Sequence, residues 1–160
     1  YVVADLEVAV RQWSDLFGAG PFGIRHHHRA DWFRYRGTEM EADVSYAFGF
    51  LGDVQIQFIQ QHDDTPSIYR EMYGPGEGGF HHVGLLVHDY AAERQRLVDL
   101  GYEVVCELRH GDVEAGYIDT RAATGGFTEL HTDPPGTLLS FAKQRRAHEL
   151  WRPGDPAEIA

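Results

Sequence analysis

The chain uses one short pattern twice, and this repeat limits the folds that are open to it. In residues 1–6 a short apolar run leads through an aspartate into a helical pattern, and residues 85–90 repeat this junction at an offset of 84 positions. Each half also closes with a strand pattern after a glycine turn, over residues 52–59 and 125–131. Repetition of this kind indicates one structural unit used twice. The sequence therefore predicts two tandem βαβββ modules.

Two such modules side by side form an α+β fold, in which a cupped eight-stranded mixed sheet carries its helices on the outside. The first module would cover residues 1–74, with its first strand truncated at the N-terminus, and the second would cover residues 78–133. A glycine-rich connector joins them. Residues 134–160 form a C-terminal tail that we expect to be partly helical. The concave face of the sheet is the predicted ligand pocket.

The bulk composition excludes several classes of partner. Fourteen basic and twenty-five acidic side chains give a net charge of -11, which disfavours nucleic acid and anionic membrane surfaces. No apolar run approaches the roughly 20 residues of a membrane span, and the first residues lack the basic flank of a signal peptide. The single cysteine, Cys106, cannot form an internal disulfide. We therefore expect a cytoplasmic protein that binds neither nucleic acid nor membranes.

Residues 22–41 predict a loop or an irregular pair of strands. Three adjacent histidines, His26, His27 and His28, stand in this stretch and invite a metal-binding interpretation. Side chains in an extended run point alternately to opposite faces, so three neighbours do not readily meet one ion. The sequence favours a solvated loop over a ligand cluster here.

Candidate site residues occur on strands that the repeat predicts. Residues 78–89 combine a doubled glycine, two histidines and an apolar run, which is typical of a strand with histidines at its mouth. His82 is in register with the module pattern and is favoured as a ligand, whereas the side chain of His81 should point away. Glu129 lies in an apparently buried strand, where a carboxylate is costly unless it is paired or metal-bound. For Gln57, a ligand and a tolerated amide are equally open.

Together these segments resemble the vicinal oxygen chelate superfamily, the glyoxalase, bleomycin resistance protein and dioxygenase group. Within it they are most similar to the branch that holds glyoxalase-like proteins and methylmalonyl-CoA epimerase. The resemblance is carried by residues 1–7, 52–60, 66–69, 79–83 and 127–130.

The resemblance implies one divalent metal ion, bound at the ends of four strands. The matching positions are Gln57, His82, Glu129 and a position three places before Tyr1, so we expect the fourth ligand upstream of this sequence. One imidazole, one amide and one carboxylate suit a cation of borderline hardness, with Co, Ni, Zn, Mn and Mg as candidates. If the upstream ligand is a histidine, the site keeps about one unit of positive charge for an oxyanion.

The resemblance also places a catalytic base at Glu41, with Glu39 and Asp43 as neighbours that a shift of two residues would substitute. Such a carboxylate would need burial to raise its pKa. Glu129 itself could act as the base if it leaves the metal.

The leading hypothesis is a metal-dependent isomerase or epimerase that abstracts a proton α to a carbonyl, with a small-molecule substrate such as a thioester and a homodimeric assembly. Gln57 resembles the epimerase set, because glyoxalases often have glutamate there. A coenzyme A tail could use the arginines of residues 22–41, for which solvent exposure is the alternative: Arg25, Arg29, Arg34 and Arg36. The other hypotheses are a lactoylglutathione lyase, a metal-free small-molecule binding or resistance protein, and a ring-cleaving dioxygenase.

Overall fold

Two mixed sheets carry the fold in the computed structural model, which describes residues 1–152 and 154–159. The strands described are β1 (Phe22–His28), β2 (Trp32–Tyr35), β3 (Thr38–Glu39), β4 (Val44–Leu51), β5 (Val54–Gln61), β6 (His82–Val87), β7 (Val104–His110), β8 (Val113–Ile118), β9 (Phe127–Thr132) and β10 (Glu158–Ile159). The helices are α1 (Leu6–Phe17), α2 (Ile68–Met72), α3 (Tyr90–Asp99), α4 (Arg121–Thr124) and α5 (Pro135–Leu150). The strand orders are β10-β1-β4-β5 and β3-β2-β7-β8-β9-β6.

This arrangement confirms the predicted α+β class, and it divides the strands between a four-stranded and a six-stranded sheet. The division follows from β2, which pairs with β7 of the second module and brings β3 with it. Phe33 and Tyr35 of β2 pack against a core that includes Cys106 and Tyr117. Apolar packing therefore ties a strand of the first half to the second sheet. The boundaries of the two modules stay a prediction.

The two repeated junctions have the same local structure. Asp5 caps α1 by accepting a hydrogen bond from the Val8 amide at 2.9 Å, and Asp89 caps α3 by accepting one from the Ala92 amide at 2.9 Å. An aspartate at this position satisfies an amide that the helix itself leaves unpaired. Both helices pack on the outside, α1 against the first sheet and α3 against the second.

Residues 1–3 join the two sheets through backbone hydrogen bonds. Val2 and Gly79 exchange two of them, with N···O distances of 3.0 and 2.9 Å. On the other side, the Val3 amide donates to Ile59 O and the Ile59 amide donates to Tyr1 O, both at 2.9 Å. We call this four-bond connection the seam. It lies beside β5, the last strand of the first sheet, and beside the segment that enters β6 of the second.

Three local features of the strands complete the fold. The histidine stretch is strand β1, interrupted by a register shift between Arg25 and His28, so of the two predicted forms the irregular strand is found and the loop is not. Gly116 lies inside β8, where a larger side chain would clash with Tyr90, and the hairpin turn is at Gly111. Near the C-terminus, β10 pairs with β1.

None of the helices in the described residues is long and apolar enough to cross a membrane. The cytoplasmic location stays a prediction.

The seam provides a test of the fold. A Cβ at Gly78 would lie 2.5 Å from Val2 O, a backbone atom that cannot move without disturbing the seam. We expect Gly78→Ala to lower the free energy of unfolding by about 1–3 kcal/mol, measured by urea denaturation. Gly23→Ala is the control, because its Cβ would approach no atom closer than 3.8 Å. Equal stability of the two variants would contradict this role of the seam.

Candidate active site

A cavity of about 1170 Å³ is lined by strands of both sheets and by α5. Its walls are mainly aromatic and aliphatic and include Phe33, Tyr46, Phe48, Phe50, Leu85, Leu108 and Phe141, and polar and charged side chains also line them. Typical small-molecule pockets measure about 300–1,000 Å³. The cavity therefore has room for a substrate with a long tail.

The three predicted metal ligands all line this cavity. His82 is the first residue of β6, and its Nε2 lies 3.3 Å from Oε2 of Glu129 in β9. Gln57 and Glu129 hold equivalent places in the two modules. Val2 pairs with Ile59 and Leu86, 84 residues later, pairs with His131, and each candidate ligand lies two residues before its paired residue. All three side chains thus lie in the wall of one cavity. Their role as ligands stays a prediction.

A buried histidine that the sequence analysis set aside orients His82. His81 is fully buried, with Nε2 3.1 Å from Ile68 O and Nδ1 3.0 Å from Nδ1 of His82. A carbonyl oxygen only accepts, so the proton of neutral His81 is on Nε2 and its Nδ1 is an acceptor. His82 must then donate from Nδ1. This arrangement turns Nε2 of His82 towards Glu129 and frees its lone pair for a metal ion once that nitrogen is deprotonated.

The protonation states of the site follow from burial and charge. Burial, and next the adjacent His82, lower the pKa of His81 to about 3, so His81 is neutral at physiological pH. Burial acts to raise the pKa of Glu129, but His82, His131 and the Tyr117 hydroxyl outweigh it and bring that pKa below its ordinary value. Glu129 is therefore a carboxylate, as metal binding requires.

The donor set fits a divalent ion. Two ligand atoms at tetrahedral positions, each about 2.0–2.1 Å from Zn²⁺, lie roughly 3.3 Å apart. The observed distance between Nε2 of His82 and Oε2 of Glu129 is 3.3 Å, so these atoms need little movement to share an ion. Gln57 adds an amide oxygen from the same cavity.

Of the four carboxylates considered for the catalytic base, Glu41 and Glu129 line the cavity, and Glu39 and Asp43 do not. Glu41 lies between β3 and β4, and its Oε1 accepts a hydrogen bond from Arg29 Nη1 at 2.5 Å. Its side chain is 59% exposed, so the burial expected to raise its pKa is not found. The catalytic role of Glu41 stays a prediction.

The four arginines of residues 22–41 do not form one phosphate-binding cluster. Arg36 pairs with Glu71 at 2.7 Å, Arg29 pairs with Glu41, and Arg34 lies over the Trp32 ring. Among the four, Arg25 is the one that lines the cavity.

Helix α5 forms part of the cavity wall, a place that the sequence does not predict. In the structure, Phe141, Gln144 and Arg145 of this helix line the cavity. Gln144 accepts a hydrogen bond from Gln55 Nε2 at 3.1 Å, and the imidazole of His148 accepts one from the Gly52 amide at 3.1 Å. Local sequence patterns do not predict this placement, since the partners of α5 lie about 90 residues upstream.

A model of the Glyoxalase/Bleomycin resistance protein/Dioxygenase superfamily matches residues 1–123. The chain belongs to this superfamily. The resemblance to vicinal oxygen chelate proteins is therefore confirmed. The match ends before β9 and α5, so Glu129 and the helical part of the cavity wall lie beyond it.

Several solved structures of this superfamily share the fold. A methylmalonyl-CoA epimerase from Mycobacterium tuberculosis is 23% identical, with 86% of this chain and 87% of that chain covered and a TM-score of 0.54. A methylmalonyl-CoA epimerase in complex with methylmalonyl-CoA and NH4+ is 18% identical, with 84% and 90% covered and a TM-score of 0.57. A variant of the Streptomyces coelicolor methylmalonyl-CoA epimerase in complex with 2-nitronate-propionyl-CoA is 19% identical, with 82% and 91% covered and a TM-score of 0.56. The comparison with curated proteins finds no match to this chain.

Burial of neutral His81 predicts a pH dependence. Its pKa falls from an ordinary 6.5 to about 3 on folding, so between these values the unfolded chain binds a proton that the folded chain does not. Acidification therefore lowers the free energy of unfolding, and the contribution of His81 to it is lost as the pH falls from about 6.5 towards 3. In a histidine-selective NMR titration, we expect the ring signals of His81 not to shift between pH 7.5 and about 5. A midpoint near 6.5, the value for an unfolded chain, would contradict the assigned tautomer.

Proposed function

We propose that the protein is a metal-dependent epimerase that moves a proton on the carbon α to the carbonyl of an acyl thioester. The observation that carries this function is the His82–Glu129 pair, whose imidazole is turned into the cavity by His81. The neighbours of known structure support the substrate class, because they are methylmalonyl-CoA epimerases, two of them bound to methylmalonyl-CoA or 2-nitronate-propionyl-CoA.

Gln57, His82 and Glu129 would hold the divalent ion. When bound, the ion supplies positive charge that stabilises an oxygen on which negative charge develops, as the carbonyl oxygen does when the α proton leaves. The chain keeps these donors in place without help from the ion, through the register of β6 with β9 and the hydrogen bond from His82 to His81.

Epimerisation requires a proton to leave one face of the α carbon and to return to the other. Glu41 is the proposed base, since it is a carboxylate in the cavity wall. Arg29 donates a hydrogen bond to its Oε1, which leaves Oε2 for the substrate proton. For the other face, Glu129 on the second sheet is the candidate acid: once free of the metal it would take up a proton from water and donate it to the α carbon, while Glu41 would release the abstracted proton to solvent.

The rest of the cavity would bind the substrate tail. The apolar walls exclude water around the acyl group, which strengthens every charge interaction inside. Arg25 lines the cavity and has no acidic partner within 4 Å among residues 1–152 and 154–159. It is thus the cation proposed to meet the phosphate groups of a coenzyme A thioester.

Loss of the base should slow proton exchange. With a methylmalonyl-type thioester in deuterated buffer, we expect Glu41→Gln to lower the rate of deuterium entry at the α carbon by about 10²–10⁴-fold. Glu39→Gln is the matched control, because Glu39 lies outside the cavity lining and its side chain accepts a hydrogen bond from the Trp32 indole. Equal exchange rates for the two variants would exclude Glu41 as the base.

Removal of the metal should abolish exchange. We expect dialysis against a chelator to stop deuterium incorporation, and Co²⁺ or Mn²⁺ to restore it. The His82→Ala variant should not recover at the same metal concentration, whereas His88→Ala should, since the His88 side chain is 96% exposed on the surface. Full exchange in metal-free protein would overturn metal dependence.

A metal-free binding protein is the second candidate function, and the largely apolar cavity favours it. Binding of an apolar compound in the absence of metal, together with no α-proton exchange on any acyl thioester, would support this candidate over the epimerase. No feature of the cavity separately favours the lyase or the dioxygenase. The homodimer stays a prediction.

A further inference from the structure

A second group of metal-ligating side chains lies at one end of the four-stranded sheet. His27 is near the end of β1, Asp43 comes directly before β4 and His62 directly follows β5. One ligand atom from each of the three lies within 4.8 Å of the other two. We call this group the outer cluster. None of its members lines the cavity, so it is separate from Gln57, His82 and Glu129.

The distances in the outer cluster are those of groups that could share an ion. Nδ1 of His27 lies 2.8 and 3.0 Å from the two carboxylate oxygens of Asp43. The rings of His27 and His62 lie 4.5 Å apart, centroid to centroid, and are tilted by 32°. Adjacent ligand atoms around Zn²⁺ lie roughly 3.3 Å apart, so the cluster needs small side-chain movements to bind an ion.

A buried serine hydroxyl contacts the ring of His62 and the backbone of His27. Ser45 is fully buried, its Oγ lies 2.7 Å from Nε2 of His62, and it accepts the backbone N–H of His27 at 3.0 Å. Ligating histidines usually engage their second ring nitrogen in this way, which fixes the ring and its tautomer. His62 therefore keeps one ring nitrogen for an ion.

The backbone of β1 departs from regular geometry at this place. His27 has φ of 48°, which residues with a side chain rarely adopt, and it lies within the register shift of β1. A bulge of this kind redirects a side chain that would otherwise follow the alternation of the strand. Here it places His27 against Asp43, and the neighbouring His28 lines the cavity instead.

We propose that His27, Asp43 and His62 form a second divalent-metal site, which selects a borderline ion such as Zn²⁺ or Ni²⁺ over Mg²⁺. Two imidazoles and one carboxylate are a donor set that these ions prefer, whereas Mg²⁺ prefers oxygen ligands. The side chains of His27 and Asp43 are 63% and 37% exposed, so the site is open to solvent and can complete its coordination with water. An ion there would tie together the ends of β1, β4 and β5.

The test is calorimetric titration with ZnCl₂, done on the His82→Asn variant so that binding in the cavity does not contribute. We expect this variant to bind one Zn²⁺, and the further substitution His62→Asn or His27→Asn to weaken that binding. Loss of an outer hydrogen-bond partner of a ligand costs about 10–100-fold in metal affinity, so loss of a ligand should cost at least as much. Asn suits position 27 because it tolerates positive φ.

His26→Asn on the same background is the matched control, since His26 is the adjacent histidine and is not a member of the outer cluster. It should leave the affinity for Zn²⁺ unchanged. If His26→Asn weakened Zn²⁺ binding as much as the substitutions at 27 and 62, any histidine of the stretch would bind the ion, and the proposed site would be overturned. Unchanged Zn²⁺ affinity in the variants at 27 and 62 would overturn it as well. Equal binding of MgCl₂ would also contradict it. Circular dichroism of each apo variant establishes that it is folded.

Discussion

The seam between the two sheets is the constraint on which the site depends. Val2 bonds to Gly79 on one side, while its neighbours bond to Ile59 on the other. Gln57 lies two residues before one of these partners and His82 three residues after the other. Short backbone connections of this kind fix relative position far more tightly than side-chain packing alone. The seam therefore lies close in the chain to Gln57 of the first half and to His82 of the second, and both line the same cavity.

The chemistry of the cavity follows from one buried imidazole. Ile68 O fixes the proton on His81, His81 fixes the proton on His82, and His82 turns its remaining nitrogen towards Glu129. Each step depends on a group that is protected from water, where a wrong tautomer would leave a buried donor or acceptor unpaired. The same burial that lowers the pKa of His81 orients His82 for its proposed role as a ligand.

The features predicted from the sequence were local ones. The repeat, its aspartate caps and the strand around His82 are set by residues close together in the chain, and they identified the superfamily and the α+β class. The role of His81 depends on a carbonyl 13 residues away, and the place of α5 depends on loops about 90 residues away. Side-chain alternation along β1 does not predict the outer cluster, because the partners of His27 come from the ends of two other strands. The exposure of Glu41 likewise depends on the path of the chain between two sheets.

The central claim is that the cavity binds a divalent ion through His82 and Glu129. Anomalous diffraction from crystals grown with Co²⁺ tests it most directly, because the cobalt signal locates the ion without regard to activity. We predict a peak in contact with Nε2 of His82, the carboxylate of Glu129 and the amide oxygen of Gln57. Cobalt density confined to the surface, with none at these three side chains, would contradict the claim.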